Sequence, residues 1–334
     1  MIAFAGRRLA WALVTAVLAS VVTFVLFWTI PDEKFSLAWR LGGAERGNEA
    51  TRARAADKYG LDDPLPVQYE RLMKEILSGE VNCFNGCDPT ETNALSQPES
   101  VRAAFIEALP VTLSLVAGAG VIAIGLGLWL ALICVRDRGG RLDRLVSAAA
   151  TAAYSVPSLV LAALLWGFVA YRWELLPLDG YVPLTENPFE WFRHLLLPWI
   201  AAALPFAGAY AQVVRASLLE TIGQDHVRTA RAKGLSERRV LRRHVLRNGL
   251  IPPMNIWGLD FSHAFGGYVL YVEVIFGLPG VGLLTAASLF SLDLPPIIAL
   301  AIYLSIVVVV ASALVDIAVA YLDPRIRRSG IPTT

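Results

Sequence analysis

Charge is scarce in this chain. Of its 334 residues only 17% are Asp, Glu, Lys or Arg, against 56% hydrophobic. A soluble domain carries roughly a quarter charged residues, so the composition indicates a membrane protein. Cysteine and histidine are few, three and four, and the scattered histidines form no metal-ligand constellation. No G-x-x-x-x-G-K-[ST] occurs, so the chain cannot cradle ATP phosphates by itself. H-E-x-x-H and G-x-S-x-G are missing too. An intramembrane hydrolase needs a nucleophile or an acid pair deep in its spans. Here Asp260 and Asp316 are the only acids inside apolar runs, and Asp316 stands near a span's end. No catalytic residue, metal site or resident cofactor is expected, and nothing points to nucleic acid.

What is present is a series of apolar runs. Arg7-Arg8 precede an uncharged run from Leu9 to Ile30, long enough to span and too long for a signal-peptide core. Residues 1–30 are therefore read as an uncleaved first transmembrane helix. Residues 31–104 form a polar extracytoplasmic segment with helix-compatible stretches at Glu45–Tyr59 and Val67–Leu77. Cys83 and Cys87 lie there, on a side that permits oxidation; a disulfide and two free thiols both fit. Five more spans make the core, 105–322: Ala108–Val135, Leu145–Tyr171 with a kink at Pro157, His194–Val214, Asn248–Val272 and Leu294–Val315. In the second, Ser114, Gly118, Ala123 and Gly127 lie at helical spacing. They either permit close helix approach or reflect generic span composition. Residues 323–334 are a tail.

Charge placement orients the chain. With both termini cytoplasmic, the inner segments hold 18 Lys/Arg and the short outer loops only Arg172 and Arg193, as the positive-inside rule requires. Glu273–Leu292 is apolar after Glu273, but Gly277, Pro279, Gly280 and Gly282 break it. Broken backbone at depth must be buried in protein, so 273–292 reads as a re-entrant loop. Asp260 and His263, three residues apart, fall on neighbouring positions of one helix. Intramembrane ionisable residues line cavities or pair with each other; both readings stay open here.

The most distinctive stretch is the loop 220–247. Between Arg215 and Arg247 stand nine Lys/Arg and three acids. Asp225 is a candidate N-cap for a helix His226–Lys233, Gly234 suits a left-handed helix end, and Ser236 can cap a second helix with Glu237 in its first turn. That helix runs towards Arg247, with Val240, Leu241 and Val245 as its apolar stripe, and Asn248-Gly249 closes it. Two capped helices around a Gly-Leu-Ser break suggest a shaped docking knob; the competing reading is that the arginines only set topology and touch headgroups.

The segment RTARAKGLSERRV, with RHVLRN and IPP after it, resembles the cytoplasmic loop of dipeptide/oligopeptide-type ABC transporter permeases. Ala230 and Gly234 match the broader permease consensus, while Arg228 and Thr229 stand where Glu and Ala would be, a departure typical of the peptide subfamily. LDDPLPVQY, LPVTLSL, YSVPSLV, VEVIFGLPGVG and LVDIAVAYLDPRIR are also similar to that family. The Asn82–Gln97 region departs from it, as does Ile30-Pro31-Asp32-Glu33. The resemblance implies an all-α membrane protein, six transmembrane helices of the type I importer fold. It implies a coupling helix that docks on ATPase subunits through Asp225, Arg228, Thr229, Ala230, Lys233, Gly234, Ser236 and Arg239, and an outer gate with Glu273, Phe276, Pro279 and Gly280. Asp260, His263 and Gly267 are the candidate translocation path. The implied partners are a second, homologous permease, two ATPase subunits or domains carrying ATP and Mg, an extracytoplasmic substrate-binding protein, a peptide substrate and the bilayer of the cell membrane. Alternatives are the same machine carrying a nickel chelate or an oligosaccharide, and a stand-alone secondary transporter, a class that often shows internal repeats; none is found here.

Overall fold

The computed structural model describes residues 2–29, 53, 56–81, 100–178, 180–265, 267–290 and 294–322. Among them every regular element is helical. Three helices are long and apolar enough to cross a membrane: Val101–Arg136, Pro188–Ile222 and Leu294–Val315. Two sharply bent helix pairs raise the total to five, and Leu13–Trp28 is a shorter apolar helix. The chain forms two compact units, Met1–Leu113 with Gly277–Val310, and Ser114–Phe276 with Ala311–Thr334.

In the first unit, α1 (Ile2–Thr29) buries Ser20, Phe24 and Trp28, one face at a four-residue spacing, and leaves Leu18, Val22 and Leu26 exposed. Outward apolar side chains suit a lipid solvent. α2 (Leu65–Ser78) starts after Pro64, which lacks the N–H that a first turn leaves unpaired, and ends at Gly79 with φ +82°. It contains the predicted Val67–Leu77 helix. Gln68 ties it to α1: the Trp28 indole N–H donates to the Gln68 side-chain oxygen, and the Gln68 amide donates to the Asp63 carbonyl at 2.7 Å. The Tyr303 hydroxyl donates to the Ile76 carbonyl at 2.5 Å. Leu72, Ile76, Val101, Ile298 and Leu300 close this core. Cys83, Cys87 and most of Glu45–Tyr59 lie outside the described residues.

The second unit takes most of α3 (Val101–Arg136), then α4 (Arg141–Ser155), α5 (Ser158–Leu165, continued by a π-helical turn Trp166–Arg172) and α6 (Pro188–Ile222). Asn187 caps α6, its side-chain oxygen accepting from the amides of Phe189 and Glu190. The expected third span is bent far more than a kink: α4 and the helix after it meet at 94°. Val156, which precedes proline, is forced out of the helical region to φ −86°, ψ 121°. The small residues of α3 do permit close approach. A Cβ on Gly118 would lie 2.1 Å from the Trp199 ring, and one on Gly127 would lie 3.1 Å from the Ala207 carbonyl.

The expected fifth span is also broken. α10 (Ile251–Ala264) stops before Phe265, and α11 (Tyr268–Phe276) follows. α12 (Val281–Phe290) then leaves α11 at 82° across a break of at most four residues, where Gly277 has φ +59°. The break thus falls at Gly277, the first of the residues expected to interrupt this stretch. α13 (Leu294–Leu322) extends past the predicted Val315.

Candidate functional site

The basic loop folds into α7 (Asp225–Ala232), α8 (Glu237–Val240), a π-helical turn (Leu241–Val245) and α9 (Leu246–Gly249). The N-cap position of α7 is Gln224, not Asp225, and Asp225 sits in the first turn, where its charge suits the helix dipole. Ser236 holds the cap position of α8 without a side-chain hydrogen bond. The helical path ends at Gly249, where Asn248-Gly249 was expected to close it. Gly234 has φ +75°, the left-handed turn expected of it.

Apolar burial anchors this knob. Val227, Ala230, Val240 and Val245 pack with Val214, Leu218 and Ile222 of α6 and with Ala131 and Val135 of α3. Ala230 is thus a packing residue, only 4% exposed. The other expected docking residues, Asp225, Arg228, Thr229, Lys233, Gly234, Ser236 and Arg239, are exposed, as are Arg238, Arg242 and Arg243. The Ser217 hydroxyl donates to the Gly249 carbonyl at 2.7 Å, and the Asn248 amide meets the His226 ring at 3.2 Å.

Two ion pairs escaped the sequence reading. Across the Gly234 turn, the Arg231 Nε and Nη2 donate to the Glu237 carboxylate at 2.8 and 3.2 Å. The guanidinium holds the Glu237 carboxyl below its ordinary range, and the carboxylate raises Arg231 in turn. On the α6 side, Arg215 grips Asp143 of α4 with bonds of 2.6 and 2.7 Å. The Gly139 amide also donates to Asp143 at 2.9 Å. The only sequence signal for this pair was an acid standing inside a short basic loop.

Asp260 and His263 do not pair. Asp260 is half-buried and accepts from the Tyr210 hydroxyl at 3.0 Å, while His263 is exposed. Gly267 lies in the turn between α10 and α11, its amide donating to Ala264. Of the expected gate residues, Glu273 and Phe276 are buried on α11 in the second unit, 0% and 2% exposed. In the first unit, Pro279 is exposed and Gly280 is buried, its amide donating to the Leu278 carbonyl at 2.7 Å. Among the described residues no three His, Cys, Asp or Glu gather as metal ligands.

Long apolar helices with a solvent-facing basic knob define a polytopic helical membrane protein. Residues 123–328 match the family model described as binding-protein-dependent transport system inner membrane component, and residues 1–116 match the N-terminal model of the same membrane components; the chain belongs to this family. It is 33% identical over 327 residues to a putative peptide transport system permease protein of Brucella abortus (strain 2308), covering 98% of this chain and 99% of that protein. It is 33% identical over 321 residues to the dipeptide transport system permease protein DppB of Bacillus subtilis (strain 168), covering 95% and 96%. Among solved structures it aligns with the crystal structure of an amino acid ABC transporter with histidines, at TM-score 0.49 and 17% identity, over 67% of this chain and 94% of that one.

Proposed function

We propose that this chain is one permease subunit of an ATP-driven, binding-protein-dependent importer of di- or oligopeptides. It forms half of a pathway completed by a second, homologous permease. Two ATPase subunits or domains hold the ATP and Mg, and an extracytoplasmic protein delivers substrate. The relatives' peptide-permease names support the substrate class. The chain crosses the cell membrane six times, the bent pair α11–α12 dips back from the outer face, and both termini are cytoplasmic, in keeping with the arginine distribution.

The observation that carries the coupling role is the two-faced knob. Its apolar side is locked onto the ends of α6 and α3, and its opposite side presents Arg228, Lys233, Arg238 and Arg239. A partner that pushes on the basic face moves α6 directly, because no flexible linker intervenes. The two states of the transporter must bind the ATPases differently for this to alternate access. His263 and Gly267, with Asp260 behind them, lie on the translocation path.

Purification in mild detergent tests the assembly: stoichiometric ATPase and a second permease are expected to co-purify. A chain that purifies alone and transports when reconstituted alone would overturn the reading.

A further inference from the structure

The second unit contains a small cavity between α3, α6, α10 and α11, about 30 Å³ in volume. A water needs at least ~10–15 Å³ on that measure, so it has room for roughly two water-sized groups. Asp260 lies on its wall with Tyr210, Phe206, Trp257 and Tyr268. The rings form a connected cluster: centroids are 4.4 Å apart for Phe206–Tyr268, 6.3 Å for Phe206–Tyr210 and 5.9 Å for Tyr210–Trp257.

Its electrostatics are unbalanced. Among the described residues, Asp260 receives one hydrogen bond, from Tyr210, and no Lys, Arg or His side chain lines the cavity. A carboxylate within a membrane bundle is costly unless a cation or a proton offsets it. The surroundings select the kind of cation. Hard metal ions want six or more oxygens, and this wall offers aromatic faces instead. An ammonium group binds well to such faces and to a carboxylate together. The indole N–H of Trp257 is buried and has no acceptor among the described residues. It is a donor in want of a carbonyl, beside a carboxylate in want of a cation.

An amino-terminal peptide end carries both complements, an ammonium and, three bonds away, a carbonyl oxygen. We propose that the Asp260 cavity receives the free α-ammonium end of the substrate, with the Trp257 N–H placed to meet the adjoining carbonyl. This rests on the peptide-import reading and names which end of the peptide the permease itself recognises.

The test uses the purified permease–ATPase complex without its binding protein, so that receptor selectivity does not enter. Equilibrium binding of labelled dialanine, N-acetyl-dialanine and N-acetyl-lysine amide is compared. In the wild type, dialanine is expected to bind at least about tenfold tighter than either acetylated probe, a ratio in line with one charge-assisted contact. Asp260→Asn is expected to remove that preference and Asp260→Glu to keep part of it, with the complex eluting as one assembly in each case. Equal binding of dialanine and N-acetyl-dialanine in the wild type overturns the proposal without any variant. N-acetyl-lysine amide binding as well as dialanine overturns the assignment to the amino terminus. Uptake by the complete transporter separates the two readings. If the wild type imports no peptide, the import reading itself fails; if it imports dialanine and Asp260→Asn does so equally well, only the Asp260 site fails.

Discussion

Arg215 and Asp143, 72 residues apart in sequence, meet in a two-pronged ion pair with bonds of 2.6 and 2.7 Å. The Asp143 side chain is 3% exposed and Arg215 31%. Arg215 sits two turns before the end of α6, and the knob follows that end directly. The pair therefore joins α4 to the helix that carries the knob. The Gln212 amide reinforces the link by donating to the Thr151 hydroxyl at 2.8 Å.

Removing one partner of a buried pair strands the other, at a cost of about 3–5 kcal/mol. Arg215 is partly exposed and keeps some hydration, so Asp143→Ala is expected to cost about 3 kcal/mol, the lower end of that range. Thermal unfolding in detergent reads this as a clear drop in midpoint. An unchanged midpoint would mean that the pair contributes little.

The Gly234 turn can be tested by backbone chemistry. Its φ of +75° is closed to proline, whose ring fixes φ near about −65°. Gly234→Pro is expected to abolish ATP-coupled uptake while membrane insertion persists. No atom stands within 4 Å of where a Cβ would be, so Gly234→Ala meets only the backbone penalty, about 1–2 kcal/mol, and uptake is expected to be reduced rather than lost. Normal uptake in the proline variant would detach the knob from coupling.

Arg231 and Glu237 predict a pH response. The folded carboxyl of Glu237 is lowered by its guanidinium partner, so the clasp contributes fully above the ordinary glutamate value of about 4.3 and is lost as pH falls through the lowered folded value. Spin labels at residues 228 and 239 are expected to show a narrow distance distribution at neutral pH that broadens in acid. Arg231→Ala is expected to be broad already at neutral pH. Equal widths in both proteins at neutral pH would dismiss the clasp.

Gln68 is 5% exposed and bonds the Trp28 indole and the Asp63 carbonyl. Gln68→Leu leaves a buried donor and acceptor without partners, at about 1–3 kcal/mol. A lowered melting midpoint, with the Trp28 environment altered in fluorescence, is the expected result; a midpoint equal to the wild type would show that this junction is not held by Gln68.

The legible features share one property: they depend on a few adjacent residues. An apolar run of about twenty reads as a span because the bilayer sets its length. Gly234 was readable because only its own backbone decides the turn. α2 was readable to within two residues because Pro64 and Gly79 flank its amphipathic pattern. The basic knob stood out by charge alone, and its inward face by the spacing of Val240 and Val245.

Other features needed partners that the sequence places far away. Pro157 announces a distortion, but whether a proline kinks a helix or turns it by 94° depends on what α4 and α5 pack against. For Asp260 and His263, neighbours on one helix, the sequence left a mutual pair and a cavity-lining role both open. In the fold Tyr210, 50 residues away, takes the partner's place, because Trp257 and Tyr268 line the same cavity and leave His263 outside it. Asp143 stood out only as an acid inside a short basic loop, with nothing nearby to name Arg215 as its partner. Local chemistry thus settled the membrane class, the long apolar helices and the knob. Side-chain pairing across helices decided which partner each of these acids meets, Arg215 for Asp143 and the Tyr210 hydroxyl for Asp260, since the cost of burying a charge depends on its three-dimensional neighbours.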